Sequence, residues 1–524
     1  MILGVPTGAT SLEPHAQGRI TLDELFRRAA ARRPGAIALA DAPNRQAFTD
    51  GQPLRLSYAE ADRMVSAIAG RLRRMGLPID AVVGIQMPNT VEHVLTFLGV
   101  LRAGLIAAPL PLLWRRADAV TALARVGAKA LIACGRVGGF ELCRLATHVA
   151  AEVFSIRYVC GFGNRLPDGV VAFGDLFTAA KFDPVPPLDR DSNAAAHLAV
   201  ATFEVGEDGP VPVARRHLEL LAGGLCALFE SRIEQDAGVL SAIAPASFAG
   251  ICLTLVPWLL TGGTLALHHP FDAEVFARQR RDERCGTLIL PAGVAFRLAE
   301  TGLFAREGPT TVLAAWHGPE RLAAGAEWPE RDAVLVDVPI FGEAGFVAAR
   351  RGLGGRPVAL PLGQVVAPRA AAGAVTVVEL AATDTGTLAL RGPMVPRHVF
   401  PPGIERSDQP HFEIASDGFV DSGSPCRVDP LSKSLVITGP PSGIVNVGGY
   451  RFPLCALMAT IGRIDAAAAL AALPDALTGQ RLVGTATDLE AMAGALRALG
   501  VNPLVTAAFG ERGEQVLREA VAAG

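Results

Sequence analysis

Residues 81–110 read A-V-V-G-I-Q-M-P-N-T-V-E-H-V-L-T-F-L-G-V-L-R-A-G-L-I-A-A-P-L, and this stretch decides the fold class. A largely apolar run of strand length (81–87) leads through P-N-T into V-E-H-V-L-T-F-L-G-V-L-R-A-G, a helix stopped by Gly104. I-A-A-P-L-P then supplies a second strand. Strands that lack polar alternation and are separated by a helix belong to parallel sheets covered on both faces. Upstream, helices are predicted over 21–32, with Thr21 as N-cap and Glu24 in the capping-box position, and over 58–75, introduced by Ser57 and closed by Gly76. Downstream, 128–134 and 156–160 repeat the strand pattern.

Further along, the pattern changes twice. Residues 181–193, K-F-D-P-V-P-P-L-D-R-D-S-N, read as a linker. Short antiparallel strands are predicted in G-A-V-T-V-V-E-L and G-T-L-A-L-R-G, between 358 and 400. Residues 237–270 hold no Asp, Glu, Lys or Arg, but Pro245, Gly250, Pro257, Gly262 and Gly263 break the run, so a buried strand-helix-strand is expected rather than a membrane span. The chain of 524 residues is 50% hydrophobic and 19% charged, which excludes extensive disorder. A net charge of −3 argues against nucleic-acid binding. The eight cysteines form no C-x-x-C pair and read as reduced thiols, and the N-terminus lacks a basic, then apolar, signal segment. A cytoplasmic protein is expected; its oligomeric state is left open.

Five segments, in order, resemble the adenylate-forming (AMP-binding) superfamily of acyl-CoA synthetases, peptide-synthetase adenylation domains and luciferases. They are L-R-L-S-Y-A-E-A-D (54–62), residues 87–110, L-L-T-G-G-T-L-A-L with F-D-A-E-V-F (259–276), D-G-F-V-D-S-G-S (417–424) and S-G-I-V-N-V-G-G-Y-R-F-P (442–453). The resemblance implies an α/β fold: a large N-terminal domain of two α/β subdomains (1–185 and 194–350) plus a distorted β-barrel (351–441), then a small, shortened C-terminal α/β domain (443–524). It also implies ATP, Mg²⁺ and coenzyme A as reactants, with an acyl or aryl carboxylate as substrate.

The family's nucleotide motifs are altered at five places. Its phosphate loop, T-S-G-T-T-G-x-P-K, gathers hydroxyls, backbone N–H groups and a lysine around phosphate oxygens. The matching segment here is T-F-E-V-G-E-D-G-P-V-P-V-A-R-R-H (202–217): Gly206 and Gly209 remain, Glu204, Glu207 and Asp208 replace the hydroxyl region, and no lysine follows. Carboxylates ~4–8 Å from a polyphosphate repel it by roughly 0.5–4 kcal/mol per unit charge. A solvated acidic turn without phosphate is therefore expected, with a bridging Mg²⁺ as the alternative.

Where the family has Y-G-x-T-E, this chain has P-I-F-G-E-A-G-F (339–346). Phe341 and Gly342 fit, Ala344 and Gly345 replace Thr and Glu, and Glu343 falls short of the family's metal-binding register. The ribose-binding Asp aligns with Ser424 and the following Arg with Pro440. Only three lysines occur (Lys129, Lys181, Lys433), so Arg512 stands near the place of the C-terminal catalytic lysine.

By resemblance, Phe248, Trp316, His317, Gly318 and Phe341 mark the acyl or aryl pocket; ordinary core packing is the alternative for the aromatics. No metal-ligand spacing accompanies His268 and His269. Drift would erode scaffold and nucleotide motifs alike, yet only the latter are altered. Two functions follow: a binding or regulatory module descended from this family (a pseudoenzyme), or an active AMP-forming carboxylate–CoA ligase with an atypical nucleotide site.

Overall fold

The decisive stretch folds as a strand, Val82–Gln86, a helix, Val91–Arg102, and a parallel strand, Ile106–Pro109. All but one of the helix's residues are buried, because sheet and neighbouring helices cover it on every side. Its first amide, Val91 N, donates to Asp41 Oδ1 at 2.8 Å, and Asp41 in turn pairs with Arg45. At its other end Arg102, fully buried, binds Asp23 and Asp62. The computed structural model describes residues 20–177, 185–186, 188, 190, 193–304, 310–324, 327–329, 332–352, 354–367 and 375–510. The N-terminal reading, most of the 181–193 linker and Arg512 lie outside them.

Both predicted amphipathic helices form. Thr21 Oγ1 accepts from Glu24 N ahead of Leu22–Arg32, and Ser57 and Glu60 exchange a full capping box ahead of Tyr58–Arg74. The apolar stretch after residue 237 becomes the strand Gly238–Ser241, the buried helix Phe248–Thr261 and the strand Leu265–Leu267. No helix among the described residues is long and apolar enough to cross a membrane. All eight cysteines are free, and seven are buried.

Two sheets carry the parallel strands. The first, of seven strands, is parallel apart from its edge hairpin 198–216. The second, of nine, runs through the strands Gly238–Ser241, Cys285–Pro291, Thr310–Trp316 and Ala333–Phe341. The sheets exchange strands across the boundaries expected from sequence. Ile37–Ala40 and Arg55–Ser57 join the second sheet through Leu265–Leu267, whereas 198–216 completes the first. One apolar core consequently runs through both subdomains.

A six-stranded antiparallel sheet stands where the barrel was expected. Its two edge strands, Leu360–Pro361 and Gly363–Ala367, are consecutive in the chain, joined through Leu362, so the sheet curls toward closure. Residues after 443 form a four-stranded antiparallel sheet with helices Leu454–Ile464 and Leu489–Ala498 around a separate core of Val447, Phe452, Ile461, Leu482 and Leu496.

Candidate functional site

At the position of the phosphate loop, the strands Leu198–Gly206 and Gly209–Arg216 pair along their whole length, Gly206 opposite Gly209, around the two residues Glu207 and Asp208. Gly209, at φ +83°, takes the left-handed position just after the turn, as in hairpins whose type I turn is followed by a G1 bulge. Arg125 braces the turn from behind through Pro210 O (2.8 Å) and Asp208 O (3.1 Å). Glu207 and Asp208 are exposed, as expected for a solvated acidic turn. Glu204 departs from that expectation. Strand alternation puts it on the face of Thr202, where it points inward, accepts from Glu343 N at 2.6 Å and forms an ion pair with Arg451.

Glu343 follows the strand Ala333–Phe341 through Gly342, whose φ is +57°. The positive φ favours glycine, and a Cβ here would lie 2.2 Å from the Glu204 carboxylate, so a larger residue would push that carboxylate aside. Both Glu343 oxygens lie 3.2 Å from Phe248 N, the first amide of the helix Phe248–Thr261. Burial raises the Glu343 carboxyl to about 7, against the attraction of Arg215. Arg215 is itself fully buried: its guanidinium lies 3.8 Å over the Phe248 ring and donates to Met394 O (2.8 Å) and to Glu343 O.

The C-terminal domain closes the third side. Its hairpin, Ile444–Val447 with Tyr450–Pro453, turns on Gly448 and Gly449, both at positive φ. The Asn446 amide donates to His317 O, and Tyr450 Oη accepts from Leu113 N at 3.2 Å. Burial, with Arg451 nearby, lowers His317 to about 4, so its ring is neutral near pH 7. What remains between the domains is a cleft of about 90 Å³, lined by Trp114, Phe203, Ser247, His317, Ile340 and Tyr450 among others.

Of the residues singled out in the sequence, Glu204, Gly342, Glu343 and His317 meet in this cleft, and Gly206 and Gly209 lie at the hairpin turn beside it. Phe341 and Phe248 are buried in the main core behind it. Trp316 packs in a neighbouring core and donates to Asp337 Oδ1 at 2.9 Å. Gly318 sits against Glu320, and Ser424 is buried within the strand Val420–Val428, neither lining the cleft. His268 is engaged by Gln279 (2.9 Å) and Asp272 N (3.2 Å). Among the described residues no three His, Cys, Asp or Glu converge on a common point. Within the motif 442–453 the sequence marks no separate role for Asn446, Tyr450 or Arg451; the signal for them is the G-G turn that carries Tyr450 and Arg451 together to the tip of a hairpin.

The model of the AMP-binding enzyme family matches residues 26–334, more than half of the chain. A 2-hydroxy-7-methoxy-5-methyl-1-naphthoate–CoA ligase of Streptomyces carzinostaticus is 26% identical over 500 residues, spanning 89% of this chain and 84% of that protein. The salicyl-AMP ligase/salicyl-S-ArCP synthetase of Mycobacterium tuberculosis is 26% identical over 275 residues, which are 52% of this chain and only 47% of the ligase's length. Among solved structures, the amide bond synthetase McbA of Marinactinospora thermotolerans superposes with a TM-score of 0.68 at 20% identity, covering 93% of this chain and 94% of that one. Motif order, architecture and these likenesses agree: the chain belongs to the AMP-binding enzyme family.

Proposed function

We propose that this chain is a binding or regulatory module of the AMP-binding family that takes a small acyl or aryl carboxylate and does not activate it with ATP. The observation that carries this reading is the closed hairpin at the phosphate-loop position. Its two strands pair up to Gly206 and Gly209, leaving a two-residue turn in place of a cradle of amides, and its inward side chain is the Glu204 carboxylate.

Other features point the same way. Ala344 and Gly345 offer no hydroxyl or carboxylate to phosphate or metal. Glu207 and Asp208 face solvent while Glu204 faces the cleft, so the three carboxylates do not form one Mg²⁺ site. Ser424 is held within its sheet and Pro440 has no donor. A cleft of about 90 Å³ is also far below the ~300–1,000 Å³ of ordinary ligand pockets, so a nucleotide would need the hairpin 444–453 to withdraw. The residues present thus do not fit a magnesium-bound triphosphate. The aryl part of the ligand class rests on the relatives named above, whose own names specify salicyl and naphthoate groups.

Family membership and the likeness across nearly the whole chain favour the second reading, an active AMP-forming carboxylate–CoA ligase with a rebuilt nucleotide site. Calorimetric titration with ATP and Mg²⁺ separates the two. Silence up to millimolar nucleotide is expected, together with heat from an aryl carboxylate such as salicylate. Micromolar ATP binding, or pyrophosphate released when ATP and the carboxylate are combined, would establish the ligase instead.

A further inference from the structure

We propose that a pocket at the base of the hairpin 198–216, between residues 196–198, Arg216 and the segment 398–405, is a second binding site, one that takes the phosphate group of a small organic phosphate on His197, Arg216 and His398. It does not rest on the reading of the cleft, because it lies at the other end of that hairpin. The eight residues of Gly209–Arg216 put roughly 20 Å of extended strand between Arg216 and the acidic turn.

The pocket measures about 390 Å³, within the ~300–1,000 Å³ of ordinary small-molecule sites. Three groups able to donate to an anion reach it from three separate pieces of chain. His197 stands just ahead of the strand Leu198–Gly206, with Nδ1 3.0 Å from Arg190 Nη1. A guanidinium only donates, so Nδ1 accepts and the neutral ring carries its proton on Nε2. Arg216, opposite Leu198, gives Nε and Nη2 to Glu219 at 3.0 and 2.9 Å, and among the described residues its Nη1 has no partner. His398 is exposed on the segment that bridges to the hairpin through Val399 and Val213, and it makes no hydrogen bond among the described residues.

The surrounding charges fit an anion. Burial, then Arg216 and Arg397, hold the His398 imidazole below its ordinary value, with Glu219 opposing them. Of the acids nearby, Glu219 is engaged by Arg216, and Asp80 by Arg190 at 2.6 Å; Glu405 stands half exposed at the rim beside Arg406. His197, His398 and Glu405 do not converge as metal ligands. The kind of anion follows from the donors. A planar carboxylate is met best by two parallel N–H groups of one guanidinium, and Arg216 has given that edge to Glu219. Single donors from three segments instead suit the separate oxygens of a tetrahedral phosphate. Leu198, Val399 and Pro402 supply apolar wall for the rest of the molecule.

Phosphorus NMR tests the site, with inorganic phosphate and phenyl phosphate titrated against the full-length chain and line broadening as the readout. Both are expected to broaden, phenyl phosphate at the lower concentration because it also covers the apolar wall. His197→Ala and His398→Ala each remove one hydrogen bond to a charged group and should weaken binding about tenfold. His411→Ala, at an exposed histidine outside the pocket, should leave it unchanged. No broadening at millimolar phosphate would overturn the proposal, as would broadening that both pocket variants leave intact. Broadening abolished by Arg451→Gln but kept in the two pocket variants would put the phosphate in the cleft and overturn it equally. Displacement of phenyl phosphate by benzoate as readily as by inorganic phosphate would refute the choice of phosphate over carboxylate.

Discussion

Replacing Glu343 by Gln removes one titrating proton from the site and leaves its shape nearly unchanged. The folded-state carboxyl sits at about 7 against an ordinary value of 4.5, because burial penalises the anion more than Arg215 rewards it. Between those values the native state binds the proton more tightly than the unfolded chain does. The slope of stability with pH is therefore negative: the proton's contribution is full below pH 4.5 and is lost as pH rises toward 7. A displacement from 4.5 to about 7 corresponds to about 3 kcal/mol as an upper bound. The Gln variant carries no such dependence and keeps an acceptor for Phe248 N. Its stability relative to the unaltered chain should accordingly rise by about 2–3 kcal/mol from pH 4.5 to pH 8. Urea unfolding across that range measures the difference, and infrared spectroscopy of the carboxyl stretch, unaltered chain minus variant, reports the protonation itself. A difference between the two proteins that stays flat within about 0.5 kcal/mol from pH 4.5 to 8 would refute the reasoning.

Two further substitutions probe the scaffold. Arg351→Met should cost about 3–5 kcal/mol, read as a lowered urea midpoint, because it strands the buried Asp337 that Arg351 grips through two bonds of 2.7 and 3.0 Å. Gly224→Ala should cost about 1–3 kcal/mol in the same unfolding assay, since its new Cβ would lie 2.1 Å from Val256 Cγ1 and 2.3 Å from Val256 Cβ in the facing helix; adding Val256→Ala, which keeps that Cβ, should restore little of the loss.

Much of the fold was legible because the signals are local. Ser57 and Glu60 cap a helix through bonds three residues apart, and the run 81–110 forms buried strands and a buried helix wherever it is packed. The allocation of strands was not legible. Whether Ile37–Ala40 pairs within its own subdomain or beside Leu265 depends on partners more than two hundred residues away, and its apolar pattern satisfies either.

The candidate site divides in the same manner. By itself, the sequence determined that this chain belongs among the AMP-binding enzymes in architecture, and that acidic residues stand where the family gathers phosphate-binding groups. Only the tertiary structure decided which of those acids matter. Glu207 and Asp208 turn out to water, whereas Glu204, one strand position from the buried Phe203, meets Glu343 N and an arginine 247 residues away. Arg215 and Arg451 gained their roles the same way, one beneath Glu343 and the other across a domain boundary. The reason is physical: a charge buried in a cleft is governed by the groups that surround it in space, and chain order does not specify that neighbourhood.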